Sequence, residues 1–281
     1  MFNRLDATYN FDPGVVLPGV FRDEASPLKR IALLISEEAK VLDVGAGSGL
    51  LALILAEGRK DVTIDGIEPN PYAAQLARGY YRHFYTGLVE DFIEKIKDED
   101  YDFIVPADVI EHTHDPLSFL NRLASALSEK GRIILTVPNI AFGTIRMNLL
   151  NGAFNYVDSG ILERTHLRFF TLKTLKQLVD LAGTHIEKLY FLRRNLFDAE
   201  VMPEHLEVDL SSLRKILKDE LSTTYQFLLV LSKTACATET ASFGERIRSP
   251  LAHYLVMKLR KGQSLKRMSG PRAALLRLLK A

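Results

Sequence analysis

The residues best placed to do chemistry are Asp43, Gly45, Ala46, Gly47 and Glu68. The first four stand in the run Val41-Leu42-Asp43-Val44-Gly45-Ala46-Gly47-Ser48-Gly49, and Glu68 follows 19 residues after Gly49. Glycines at 45 and 47 let backbone approach a ligand where a Cβ would collide. A helix opening at about Ser48 to Leu50 aims free N–H groups at that ligand. Glu68, closing the next apolar stretch, can accept from both hydroxyls of a ribose. Together they describe a site for a cofactor that carries a ribose. Two cofactor classes stay open on this pattern. A nicotinamide site wants G-x-G-x-x-G, whose third glycine permits close helix–strand packing. Here the spacing is G-x-G-x-G, and Leu50 stands at that third position. Asp43, just before the glycines, offers its carboxylate to a ligand ammonium group.

Such residues need a sheet to hold them. From Lys40 the chain alternates, with strands predicted over 40–44, 62–68, 84–89, 101–107 and 131–137. Helices are predicted over 50–57, 71–82, 93–96 and 116–127, after a first amphipathic helix at 28–36. Ser26-Pro27 and Asp115-Pro116 each supply a cap and a first-turn proline. Alternation of this kind argues a doubly wound parallel α/β sheet. After Asn139 the rhythm breaks. Residues 139–171 carry glycines, aromatics and the segment Thr165-His166-Leu167-Arg168-Phe169-Phe170-Thr171. A helix at 172–182, a strand at 185–192, a mostly helical insert at 196–223 and a strand at 224–233 follow. Residues 1–27 read as an N-terminal arm without clear periodicity.

The chain's 281 residues suffice for one large α/β domain plus an appendage. A net charge of +1 argues for no particular partner. The single cysteine, Cys236, leaves no disulfide within the chain and nothing near it activates the thiol. No apolar run approaches a membrane span and the first residues lack a signal-peptide core, so a soluble, cytoplasmic protein is expected. The tail is different in kind. Residues 241–281 hold ten Lys or Arg against one acid, Glu245, with leucines at helical spacing. Residues 235–281 are therefore expected to form a basic amphipathic helical tail. It is either a solvated face, an oligomer contact, or a peripheral dock on anionic membrane at the inner surface. Nucleic acid is not expected, because beyond Phe243 only His253 and Tyr254 of the tail offer stacking surface.

Val41–Gly49, Glu68 and Asp108-Val109-Ile110-Glu111-His112-Thr113-His114-Asp115-Pro116 resemble the class I S-adenosylmethionine-dependent methyltransferases. Gly131–Asn139 and His166–Thr171 are similar to the ubiquinone-biosynthesis type, which includes sugar methyltransferases of polysaccharide clusters. The likeness covers about residues 28–234. It implies a Rossmann-like, seven-stranded, mostly parallel sheet ending in an antiparallel hairpin; residues 139–171, the 196–223 insert and the N-terminal arm are expected to form the substrate lid and acceptor pocket. It further implies that Asp43, Gly45, Ala46 and Gly47 cradle the methionine part of S-adenosylmethionine. Glu68 then holds the ribose, Asp108 lies beside the methionine end, and Val89, Glu90 or Asp91 meets the adenine.

The expected activity is methyl transfer to a small hydroxylated acceptor, a sugar or glycan intermediate. Such a reaction asks the protein to align the acceptor and remove a proton. His112 and His166 are the candidate bases, each with the plainer alternative of bonding backbone. His114 reads as an exposed turn residue, while Arg164 and Arg168 serve an acidic substrate group or a surface ion pair. Some relatives hold a divalent metal with Glu-x-x-Glu-His, and Asp108-x-x-Glu111-His112 is this chain's counterpart, so Mg²⁺ is a candidate second cofactor. The rival readings are an inactive cofactor-binding accessory subunit and a nicotinamide-dependent oxidoreductase.

Overall fold

The computed structural model describes residues 13–58, 60–196 and 210–244. Eight strands form one sheet: β1 (Lys40–Val44), β2 (Thr63–Glu68), β3 (Phe84–Thr86), β4 (Tyr101–Pro106), β5 (Leu127–Pro138), β6 (His185–Arg193), β7 (Thr224–Ser232) and β8 (Glu239–Phe243). Their order is β3-β2-β1-β4-β5-β7-β6-β8. β7 alone runs antiparallel to its neighbours, so the expected Rossmann-like sheet with a late hairpin is present. The helices are α1 (Pro13–Arg22), α2 (Pro27–Leu34), α3 (Leu50–Glu57), α4 (Pro71–Ala77), α5 (Ile93–Ile96), α6 (Pro116–Ser125), α7 (Gly143–Leu150), α8 (Leu172–Leu181) and α9 (Leu210–Lys218).

Period-two alternation along the strands builds two apolar layers. Leu42 and Val44 join α6 and α8 on one face through Phe119, Leu120, Leu123, Leu175 and Val179. Val41 joins α2 and α3 on the other, through Ile31, Leu51, Ile54 and Leu55. A third cluster stands apart, where Phe142, Ile145 and Met147 pack with Ile161, Leu162, Leu213 and Ile216. That cluster gives the 139–171 segment and α9 a core of their own. One capping device recurs three times: Ser26, Asn70 and Asp115 each precede a first-turn proline and accept a backbone N–H with the side chain.

Four expectations change. The sheet has eight strands, because residues 239–243 pair with β6 where the helical tail was expected to have begun. Within the N-terminal arm α1 forms, and its Val16, Leu17 and Val20 pack on the α2–α3 layer. The third strand stops at Thr86, since Gly87 with φ 148° turns the chain into a short 3-10 turn at Val89–Asp91. α7 forms where the sequence predicts no helix: it is buried on several sides, so no single apolar stripe marks it. Residues 245–281, the bulk of the basic tail, lie outside the described residues, as do 197–209 of the insert.

Candidate functional site

The connections from β1 run outward to β2 and β3 on one side and restart at β4 on the other. This reversal opens a crevice at the carboxyl ends of β1 and β4, the position where open α/β sheets bind ligands. Gly45, Gly47 and Gly49 all sit at positive φ there, 74°, 52° and 90°. A Cβ at Gly45 would lie 2.5 Å from Val109 Cγ2, so side chains are barred by the fold as well as by φ. The Gly45 and Ala46 N–H groups donate to the Ile67 carbonyl, tying the turn to β2.

Glu68 is buried and already oriented. Gly47 N–H donates to its Oε2 and Asn70 N–H to its Oε1, both at 2.8 Å. Each oxygen keeps a second lone pair, one for each hydroxyl of a diol. Burial raises its pKa, and the two backbone donors oppose that rise. Asp43 is buried beneath the turn, where the Tyr81 hydroxyl donates to Oδ2 at 2.7 Å. Burial pushes the Asp43 carboxyl up to about 7, against the Tyr81 bond and with help from the Glu68 charge. Ser48 Oγ is buried without a hydrogen-bond partner.

Across the crevice, Asp108 adopts φ 55°, a left-handed conformation rare outside glycine. Thr136 Oγ1 donates to Asp108 Oδ1 at 3.0 Å, and Gln226 Nε2 donates to the same oxygen. Burial raises the Asp108 pKa despite these donors. Of the segment expected to meet the adenine, Val89 is buried, Glu90 is exposed, and Asp91 accepts the Leu88 N–H at 3.3 Å. Asp91 thus shapes its own loop.

The histidines converge. Leu167 and Arg168 donate their N–H groups to the Glu111 carbonyl at 2.8 and 2.9 Å, which clips the 163–170 segment onto the end of the β4 loop. The His112 and His166 rings then meet edge to face at 4.7 Å. His166 Nδ1 lies 3.0 Å from the Ile161 carbonyl, so it carries the proton and leaves Nε2 unprotonated, 4.0 Å from Glu111 Oε1. His112 Nδ1 faces the Thr165 carbonyl and hydroxyl oxygens, while that hydroxyl donates to Glu163 Oε1 at 2.6 Å. The same tautomer follows for His112. Burial, then the neighbouring His112, lowers the His166 pKa, which keeps that ring neutral. Glu111 is 1% exposed with neither carboxylate oxygen hydrogen-bonded, and burial drives its pKa well above the usual carboxylate range.

Residues 19–189 match the methyltransferase domain family, well over half of the chain. The chain belongs to the class I S-adenosylmethionine-dependent methyltransferases. A ubiquinone biosynthesis O-methyltransferase of Rickettsia bellii is 23% identical over 188 residues, 66% of this chain and 77% of that one. Among solved structures, a SAM-dependent methyltransferase from Archaeoglobus fulgidus aligns with a TM-score of 0.54 at 16% identity, covering 79% of this chain and 95% of that one. One from Thermotoga maritima gives 0.51 at 21%, covering 76% and 92%. Family membership decides against the nicotinamide alternative.

The methyltransferase site suits its cofactor: a glycine turn closed to side chains stands beside a carboxylate with two spare lone pairs, and the Ser48 hydroxyl in that turn is orphaned. For a metal, Glu111, His112 and His166 bring one donor atom each within 4.8 Å of one another. Asp108, the expected first acid of that set, is not in this cluster; its Oδ1 accepts from Thr136 and Gln226. His114 is exposed, its carbonyl accepting from Arg168, and Arg164 pairs with Asp158 at the surface. Reading the sequence missed Gln226, although a lone amide in the buried run Thr224–Ser232 was a usable signal. It also missed Tyr81, which no local pattern marks.

Proposed function

We propose that this methyltransferase methylates a hydroxyl of a small acceptor, a sugar or glycan intermediate. Asp43 takes the cofactor ammonium, Glu68 the ribose, the Val89–Asp91 turn the adenine, and Asp108 the methionine end. Bound S-adenosylmethionine supplies a methyl group on a sulfonium and leaves as a neutral thioether. The chain's part is alignment and proton removal. His166, its Nδ1 proton fixed on Ile161, takes the acceptor hydroxyl proton at Nε2, and His112 stands beside it as second acceptor. What supports this reading is the edge-to-face pair of imidazoles, each with Nδ1 turned to an oxygen acceptor so that Nε2 carries the lone pair. Alanine at His166 is expected to lower kcat toward responsive nucleotide sugars by about 10²–10⁴, with S-adenosylhomocysteine binding intact. Unchanged turnover in both His112→Ala and His166→Ala rejects the base assignment.

A second reading is favoured by Glu111, whose two buried oxygens accept no hydrogen bond while Oε1 lies 4.0 Å from His166 Nε2. In it Glu111, His112 and His166 hold a divalent ion that polarises the acceptor hydroxyl, and the imidazoles are ligands rather than bases. One carboxylate and two nitrogens suit Mn²⁺ better than Mg²⁺. The basic tail is proposed as a peripheral dock on anionic membrane at the cytoplasmic surface. Flotation with anionic liposomes tests it: the full chain should float and a chain ending at Gly244, which keeps β8, should not.

A further inference from the structure

We propose that Tyr81 is a positioning residue of the cofactor site, holding the Asp43 carboxylate so that Oδ1 faces the cofactor ammonium. The inference rests on the proposed placement of that ammonium at Asp43. Tyr81 lies outside the glycine turn and outside every strand that lines the crevice. It follows the 3-10 turn Arg78–Tyr80 and comes before β3, on the far side of β2 from Asp43. Its phenol nevertheless reaches β1, donating to Asp43 Oδ2 at 2.7 Å. Oδ1 has no hydrogen-bond partner among the described residues.

The route across β2 is open because residue 66 is glycine. In the parallel β1–β2 ladder Asp43 stands opposite Gly66. Paired residues project to the same face, so a side chain at 66 would occupy the space beside Asp43. A Cβ there would lie 2.9 Å from Tyr81 Cδ1 and 2.6 Å from Phe84 Cε2. Phe84 packs edge-on against Tyr81 at 5.0 Å, closing the other side of the ring. Gly66, Phe84 and the sheet therefore fix the phenol, and the phenol fixes the carboxylate. Tyr80 completes the arrangement by lying against Gly49 of the glycine turn, 2.9 Å from where a Cβ would be.

The groups that set the Asp43 charge are few. Its partner across β4 is Val105 and across β2 is Gly66, neither of them titratable. The charged or titratable groups that act on it are Tyr81 and Glu68. The Tyr81 bond favours the ionised carboxylate and the Glu68 charge opposes it, so the hydroxyl keeps Asp43 able to pair with a cation near neutral pH. Affinity for a ligand bearing that ammonium must then fall as pH drops through the Asp43 pKa, and removing the hydroxyl must move this fall to higher pH.

The test is calorimetric titration with S-adenosylhomocysteine between pH 5.5 and 8.5, on wild type, Tyr81→Phe and Asp43→Asn. Phe keeps the ring and its packing. Tyr81→Phe is expected to bind about ten-fold more weakly at pH 7, with the midpoint of its pH dependence moved up. Fluorotyrosine incorporated at position 81 keeps the volume and strengthens the donor, so it should move the midpoint down. An unmoved midpoint in both variants, with Asp43→Asn still weakened, overturns the role of Tyr81 and leaves the cofactor placement standing. Normal binding by Asp43→Asn overturns the placement itself, and the inference with it. A loss of affinity equal at every pH would mark Tyr81 as packing alone, and also overturns the proposal.

Discussion

Asp43→Asn should make the cofactor-free protein more stable, by an amount that depends on pH. In the fold the Asp43 carboxyl titrates at about 7, against 3.8 without the fold's constraints. Burial is the larger cause, since the 3% exposed side chain loses its water and gains one hydrogen bond from Tyr81. A raised acid pKa means that the native state holds the proton more tightly than the unfolded chain. Its stabilising share is complete below pH 3.8 and is lost as pH rises toward 7. The loss runs at about 1.4 kcal/mol per pH unit. Over the interval of about 3 units it reaches on the order of 4 kcal/mol. Asparagine cannot ionise and still offers Tyr81 an acceptor. The two proteins should therefore match near pH 4 and diverge until pH 7, with the variant more stable by a few kcal/mol. Urea unfolding of both at pH 4, 5, 6, 7 and 8 reads this directly, because the linear extrapolation gives each free energy separately. Parallel curves, or a variant less stable than wild type at pH 8, would refute the reasoning. The same substitution should weaken cofactor binding, so stability and function are opposed at this residue.

Gly45→Val should abolish cofactor binding, because even a Cβ lies 2.5 Å from Val109 Cγ2 at a backbone φ of 74°; S-adenosylhomocysteine titration on folded protein checks it. Glu68→Ala should weaken that binding by about 1–3 kcal/mol through loss of the ribose acceptor. It should also free the Gly47 and Asn70 N–H groups, and normal affinity in a folded variant would overturn the ribose placement. Activity is expected to vanish after treatment with EDTA and return with Mn²⁺ if Glu111, His112 and His166 hold an ion, and Glu111→Gln should block that return. Full activity after chelation would leave the two histidines as bases.

Much of this protein could be read from short windows of sequence. The turn at Gly45–Gly49, the acid at Glu68 and the Xaa-Pro helix starts each depend on φ, a missing Cβ or a side-chain cap within a few residues. The strands that carry them are short, largely buried segments of five or six residues. The tertiary structure decided the rest. His166 joins Glu111 and His112 only because the Glu111 carbonyl accepts two N–H groups from a segment more than 50 residues on. Gln226 meets Asp108 across a separation of 118 residues, through the place β7 takes beside β5. Tyr81 reaches Asp43 over a strand whose glycine carries no local sign of its purpose. β8 pairs at the sheet edge beside β6, where local composition pointed to a helix. Conformational demands act between neighbours and are written locally, whereas a site assembled at the ends of strands depends on strand order and loop path, which emerge only when the whole core packs.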